Sequence, residues 1–264
     1  MTVRWVVATD LDGTLLDHET YSLEPARPAL DLLRDRGIPL VLVTSKTRAE
    51  AEGIAAATGC SPALVVENGG AVVLPGGRGV IELGAAYDAL VAALAEIARE
   101  AGAGVRGFSS LSRRDVEELT GLRGEDAERA RRRGWDEPFL LSNEEALPAL
   151  ERAAARRGLA VTRGGRFHHL LGASSDKGRA LRVLLDREGW LAPGTLSVGL
   201  GDAANDLPFL RIVDRPVIVP RPGGAADPDL AAALPHAAVA PAPGPRGWNA
   251  AVQGILGASR EKRS

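Results

Sequence analysis

The chain has 264 residues, 45% hydrophobic and 25% charged, with a formal net charge of -2. That length holds one large or two modest soluble domains, and the balanced charge leaves no basic face for nucleic acid. A single cysteine, Cys60, excludes an intrachain disulfide, and no apolar run reaches membrane-spanning length. An acidic motif follows the first few apolar residues at once, so the opening does not read as a signal peptide, and a cytoplasmic protein is expected. Trp5-Val6-Val7-Ala8 reads as a short buried strand of a parallel sheet. It runs into Thr9-Asp10, then Asp12, then Gly13. Side chains two apart in an extended segment point the same way, so Asp10 and Asp12 are expected to project together from the strand's carboxyl end. Two such carboxylates repel unless a proton or a cation lies between them.

Residues 25–36 show helical spacing at Ala26, Leu30 and Leu33, with Gly37 as the C-cap. Ile38 to Val43 is a continuous aliphatic run, a second buried strand, which ends in Thr44-Ser45-Lys46-Thr47 before a helix over 48–58. Ala63 to Val66 is a third strand, ending in Glu67-Asn68-Gly69-Gly70, and residues 71–74 suit a further one. Strand and helix alternate as in a doubly wound, Rossmann-like α/β fold. The pattern then changes. Residues 85–102 form an Ala-rich amphipathic helix, 112–122 a polar helical stretch and 124–138 a charge-dense one. Phe139 to Leu141 suits a strand and 143–157 a helix. Residues 160–171 alternate as one or two strands, with a hairpin at Gly164-Gly165. This is α+β material. It reads as a smaller domain over 84–171, inserted in a core domain made of 1–83 and 172–264.

The first pattern resumes with Asp176 as an N-cap for a helix over 177–188. Leu196 to Leu200 is a strand ending in Gly201-Asp202-Ala203-Ala204-Asn205-Asp206. Residues 207–213 read as helical and 215–220 as the last clear strand. Residues 220–247 read as loop with one short helix, and the polar end from 257 as disordered. Four strand ends thus carry polar clusters, and in a parallel sheet they lie side by side. Asp10, Asp12 and Asp202, with Asp206 nearby, call for a hard divalent cation, and Mg2+ suits few carboxylates plus water and phosphate. Thr44, Ser45 and Lys46 offer hydroxyls, backbone donors and a charge to an anion, and Lys177 at another helix start does likewise. Of the 32 basic residues only Lys46, Lys177 and Lys262 are lysines. A compact ammonium beside a strand end suits a phosphate oxygen. Metal, carboxylate nucleophile and phosphate cradle together imply phosphoryl transfer through an aspartyl-phosphate.

Asp10-Leu11-Asp12-Gly13-Thr14, Thr44, Lys177 and Gly201-Asp202-x-x-Asn205-Asp206, in this order, resemble the four motifs of the haloacid dehalogenase superfamily. The resemblance implies that Asp10 is the nucleophile and that Asp12 acts as acid and then base. It implies Mg2+ held by Asp10, the Asp12 backbone carbonyl and Asp202. Thr44 and Lys177 would hold phosphoryl oxygens, with Ser45 a further phosphate-binding candidate from its place at the strand end, and Asn205 and Asp206 would orient the metal's waters and Lys177. The insertion between the second and third motifs resembles the type 2 cap of sugar phosphatases. Within that group, Thr44-Ser45-Lys46-Thr47-Arg48-x-Glu50, Arg133 to Pro138 and Gly164 to His169 are similar to the mannosyl-3-phosphoglycerate phosphatase branch. Gly134 and Trp135 stand where that branch usually carries an acidic residue and Tyr. The implied substrate is a small phosphorylated sugar-glycerate, cleaved to mannosylglycerate and phosphate. The glucosyl analogue, a broader sugar phosphatase, a phosphomannomutase and an idle sugar-phosphate binder are the alternatives. Lys46, Arg133 and Arg166 are candidates for the glycerate carboxylate; Asn68, Asp136, Trp135 and His168 are candidates for the sugar. His168 and His169 alternate on a strand, so one of the two faces inward. No nucleic acid or membrane partner is expected.

Overall fold

A computed structural model describes residues 4–163 and 167–261. An 8-stranded sheet is the frame for the site, in the order β12-β11-β10-β1-β2-β3-β4-β5. Its strands are β1 (Arg4–Thr9), β2 (Leu40–Val43), β3 (Ala63–Val66), β4 (Ala71–Val73), β5 (Val80–Glu82), β10 (Thr195–Gly201), β11 (Arg215–Ile218) and β12 (Ala238–Val239). β12 to β3 run parallel, while β4 and β5 fold back antiparallel. The central strands β1, β2 and β3 are aliphatic on both faces because helices cover both. On one face lie α1 (Arg27–Asp35) and α10 (Gly244–Glu261), which bury Leu30, Leu33, Trp248, Val252 and Leu256. On the other lie α7 (Lys177–Arg187), α8 (Leu207–Leu210) and α9 (Pro228–Ala233), which bury Leu181, Leu184, Phe209 and Leu230. α2 (Arg48–Thr58) begins at Thr47, whose side chain and that of Glu50 form a reciprocal capping box. Strand order reverses beside β1, with β2 on one side and β10 on the other. Open α/β sheets bind ligands at such a switch point.

Between β5 and α7 the chain builds a second, 4-stranded antiparallel sheet, β6-β7-β9-β8. It consists of β6 (Val105–Gly107), β7 (Asp136–Leu141), β8 (Leu159–Arg163) and β9 (His168–Gly172). α3 (Tyr87–Ala101) and α6 (Leu147–Ala155) pack on one face around Phe139 and Leu170. α4 (Arg113–Thr120) and α5 (Glu125–Arg131) close a separate small core around Phe108 and Val116. The other face of this sheet carries Asp136, Pro138 and His169.

Several elements differ from the sequence expectation. β7 starts at Asp136 rather than Phe139, because Asp136 and Glu137 are drawn into the ladder although both are fully buried and charged. The helix expected over 207–213 ends at Leu210. The end expected to be disordered from 257 continues α10 to Glu261. The Gly164-Gly165 hairpin lies outside the described residues, as does the candidate Arg166.

Candidate active site

The site forms where β1 and β10 end together. β1 delivers Asp10 and β10 delivers Asp202 across a parallel register. Lys177 is the first residue of α7, and its side chain is only 1% exposed. Its Nζ donates to Asp10 Oδ1 and to Asp206 Oδ1, both at 2.7 Å. Asp206 Oδ2 accepts the backbone N–H of Asp202 at 3.0 Å and of Ala203 at 3.2 Å. Thr14 donates its hydroxyl to Asp202 Oδ1 at 3.0 Å. Gly13, with φ 78°, lets the chain turn past this cluster; a Cβ there would lie 2.8 Å from Asp202 Oδ2. Behind the site, the Trp248 indole N–H donates to Thr9 Oγ1 at 2.9 Å, tying α10 to the residue before Asp10.

One buried ammonium faces three carboxylates. Oxygens of Asp10, Asp202 and Asp206 lie within 4.8 Å of one another. Burial pushes the Asp10 carboxyl well above the usual range, Asp206 adds to this, and Lys177 opposes it. Burial, with Asp206 next, pushes Asp202 up to about 7. Acids displaced this way signal a missing positive charge. The all-oxygen donor set fits a hard divalent cation such as Mg2+. The extended-chain expectation for the first two acids is corrected here. The chain turns at Leu11, and the Asp12 carboxylate leaves the cluster for Lys46 Nζ at 3.0 Å. The third clustered carboxylate is Asp206, whose oxygens are engaged by Lys177 and two backbone N–H groups. That leaves Asp12 only its backbone carbonyl for a cation.

Lys46 is held between Asp12, Glu50 at 4.0 Å and the ring of Tyr21 at 5.2 Å. Burial works against its charge, but Asp12 and Glu50 outweigh burial and raise its pKa. Thr44 is buried at the end of β2, and its Oγ1 accepts the Lys46 N–H at 3.1 Å. Ser45 is half-buried, and its carbonyl accepts from Arg133 at 2.9 Å. Asn205 sits half-buried in the turn before α8.

The two sheets meet over this loop through a buried polar network. Asn68 donates its amide to Asp136 Oδ2 at 2.8 Å, while its own N–H bonds the Thr44 carbonyl at 3.0 Å. Arg133 donates to the Asp136 carbonyl at 2.9 Å and lies 3.4 Å from its carboxylate. Burial disfavours the Asp136 charge, yet His169 and Arg133 outweigh burial and hold its pKa low. Glu67 is fully buried, with φ 48°, and accepts the N–H of Gly134 at 3.0 Å and of Trp135 at 2.8 Å. Burial pushes Glu67 up to about 7 against the pull of Arg133. His168 is corrected: it stacks on Phe139 at 5.5 Å and bonds Glu144 at 3.0 Å, on the helix-covered face of its sheet. Its neighbour His169 faces the network instead, with Nδ1 2.9 Å from the Asp136 carboxylate. Sequence reading assigned no part to Thr14, Glu67 or Trp248. Thr14 was visible as the polar residue closing Asp-Leu-Asp-Gly-Thr, and Glu67 as the first polar residue of a strand-end cluster; Trp248 carries no local signal.

Comparison with known proteins agrees with this geometry. Residues 7–108 match the family model for haloacid dehalogenase-like hydrolases. A glucosyl-3-phosphoglycerate/mannosyl-3-phosphoglycerate phosphatase of Methanococcoides burtonii is 38% identical, over 97% of this chain and 98% of its own. The protein of that description from Persephonella marina is 38% identical, over 95% of this chain and 97% of its own. A haloacid dehalogenase-like hydrolase of Bacteroides thetaiotaomicron has the same fold, with a TM-score of 0.70 at 18% identity, covering 97% of this chain and 100% of that one. The chain belongs to the haloacid dehalogenase-like hydrolases. Within them it is a phosphoric monoester hydrolase. No described helix is long and apolar enough to cross a membrane.

Proposed function

We propose that the enzyme hydrolyses mannosyl-3-phosphoglycerate to mannosylglycerate and phosphate, and that it accepts the glucosyl analogue. The observation that carries this reading is Lys177, bonded at 2.7 Å to both Asp10 and Asp206 beside the half-buried Asp202. Such a buried ammonium orients one carboxylate and leaves a positive face for a phosphoryl oxygen. In the first half-reaction an Asp10 oxygen bonds phosphorus and the ester P–O bond breaks. Asp12 gives its proton to the leaving glycerate oxygen. In the second, Asp12 takes a proton from water, whose oxygen displaces the Asp10 carboxylate and frees phosphate. Thr44, Ser45 and Lys177 hold phosphoryl oxygens meanwhile. Mg2+ would be held by Asp10, Asp202 and the Asp12 carbonyl, and when bound it supplies charge neutralisation for the phosphoryl group. The smaller unit acts as the cap over residues 84–171, with Arg133 and Asp136 over the phosphate loop. The full-length likeness to relatives described as acting on both esters supports the substrate class.

The test is phosphate release from the two esters, with Mg2+ and after chelation. Release from both is expected with Mg2+, falling by about 100-fold or more in chelator. Accumulation of a sugar bisphosphate would point to a mutase instead. Release from simple sugar phosphates but from neither ester would overturn the proposed substrate.

A further inference from the structure

We infer that His169 is a specificity-determining residue, its Nε2 forming a hydrogen bond with a sugar hydroxyl of the substrate; this rests on the substrate class proposed above. On β9, His169 pairs with Pro138 of β7 and Thr162 of β8, which puts its ring on the face that looks toward the larger sheet. The residue is only 7% exposed, so its ring is held rather than waving in solvent. Nδ1 lies 2.9 Å from both oxygens of Asp136. A carboxylate can only accept, so Nδ1 donates to it and Nε2 is the ring nitrogen left to meet a ligand. Nε2 has no hydrogen-bond partner among the described residues. Asp136 is itself fixed by the Asn68 amide at 2.8 Å, and the Asn68 N–H bonds the Thr44 carbonyl. A chain of hydrogen bonds therefore sets the ring at a defined place relative to the phosphate-binding loop. A phosphate seated there would carry its glycerate and sugar outward beneath the smaller sheet. A preoriented ring nitrogen at that place reads the position of one hydroxyl, as a solvent-exposed side chain would not.

The experiment compares kcat/KM for mannosyl- and glucosyl-3-phosphoglycerate with that for p-nitrophenyl phosphate, which has no sugar. In His169→Ala, the loss on the better sugar ester is expected to exceed the loss on the aryl phosphate by about ten-fold, mostly in KM. His169→Gln, whose amide reaches the Nε2 position, should recover part of that difference. It also serves as the reading variant should His169→Ala fail to fold. Equal losses on sugar and aryl substrates in the folded variant would overturn the assignment, because a merely structural role moves both alike. A wild-type enzyme active on the aryl phosphate but on neither sugar ester would overturn the substrate reading, and this inference with it. Wild-type turnover of the esters with an unchanged ratio in the variants would overturn the inference alone.

Discussion

Asp202 is the residue whose environment makes the sharpest demand on solution conditions. Burial and Asp206 push its carboxyl up to about 7 from an ordinary value near 3.8. The folded protein therefore holds a proton that the unfolded chain gives up. Stability from this group is complete below pH ~4 and is lost as pH rises through 7. Three pKa units give a ceiling of about 4 kcal/mol, less where water reaches the half-buried oxygens. Asp202→Asn keeps an acceptor for Thr14 and removes the titration. In chelator, the melting temperature of the wild type should fall relative to Asp202→Asn between pH 4 and pH 7.5. Adding Mg2+ should raise the wild type and leave the variant nearly unmoved, because only a ligand bound to the folded state adds stability. A constant difference between the two proteins across that pH range would show that the three carboxylates are not short of positive charge.

The turn Glu67-Asn68-Gly69 couples the large sheet to α7. Glu67 and Asn68 are both left-handed, with φ 48° and 56°, and their N–H groups bond the carbonyls of Lys46 and Thr44. Gly69 follows at φ 91°, where a Cβ would run into the Asp176 carbonyl and sit 3.0 Å from the Lys177 nitrogen. Gly69→Ala should thus displace the start of α7, and Lys177 with it. We expect a stability loss of about 2 kcal/mol or more, with a fall in kcat. Gly76→Ala is the control: its φ is 66° with nothing within 4 Å, so it should cost about 1 kcal/mol and leave kcat alone. Matching effects on kcat would separate Gly69 from the placement of Lys177. This turn also marks how far sequence reading reached. Asp10, Thr44, Lys177 and Asp202 were legible because each ends an apolar strand or opens a helix, and a period of two or 3.6 announces those boundaries. α10 was not, since Gly244 and Gly247 stand among its buried residues and Gly254 and Gly257 lower its helical propensity, although Trp248 is fully buried. β5 and β6 are three-residue strands flanked by glycine, too short to show any period. The His168/His169 choice turns on register by one residue, which neighbouring strands decide and local sequence does not.

How the two sheets close on each other is a property of the whole molecule. Their junction near the site is polar: Glu67 and Asn68 from one unit meet Gly134, Trp135 and Asp136 from the other. Polar junctions of this kind let domains move relative to one another, and a hydrolase of this architecture must admit substrate and then exclude water. We expect Glu67 to give such a motion a pH dependence. With the units together its carboxyl is pushed up to about 7, because burial outweighs Arg133 and the backbone N–H groups. With the units apart, water restores an ordinary value near 4.5. Closing therefore takes up a proton. Closure is fully favoured below pH ~4.5 and is weakened as pH rises through about 7. The radius of gyration of the ligand-free enzyme should grow from pH 5 to pH 8, and Trp135, whose backbone N–H bonds Glu67, should change its fluorescence over the same range. Glu67→Gln keeps the side chain's shape without the titration, so its two curves should be much flatter. Parallel wild-type and variant curves would place the proton elsewhere in the junction, and a flat wild type would show that Glu67 stays ionised behind its N–H donors.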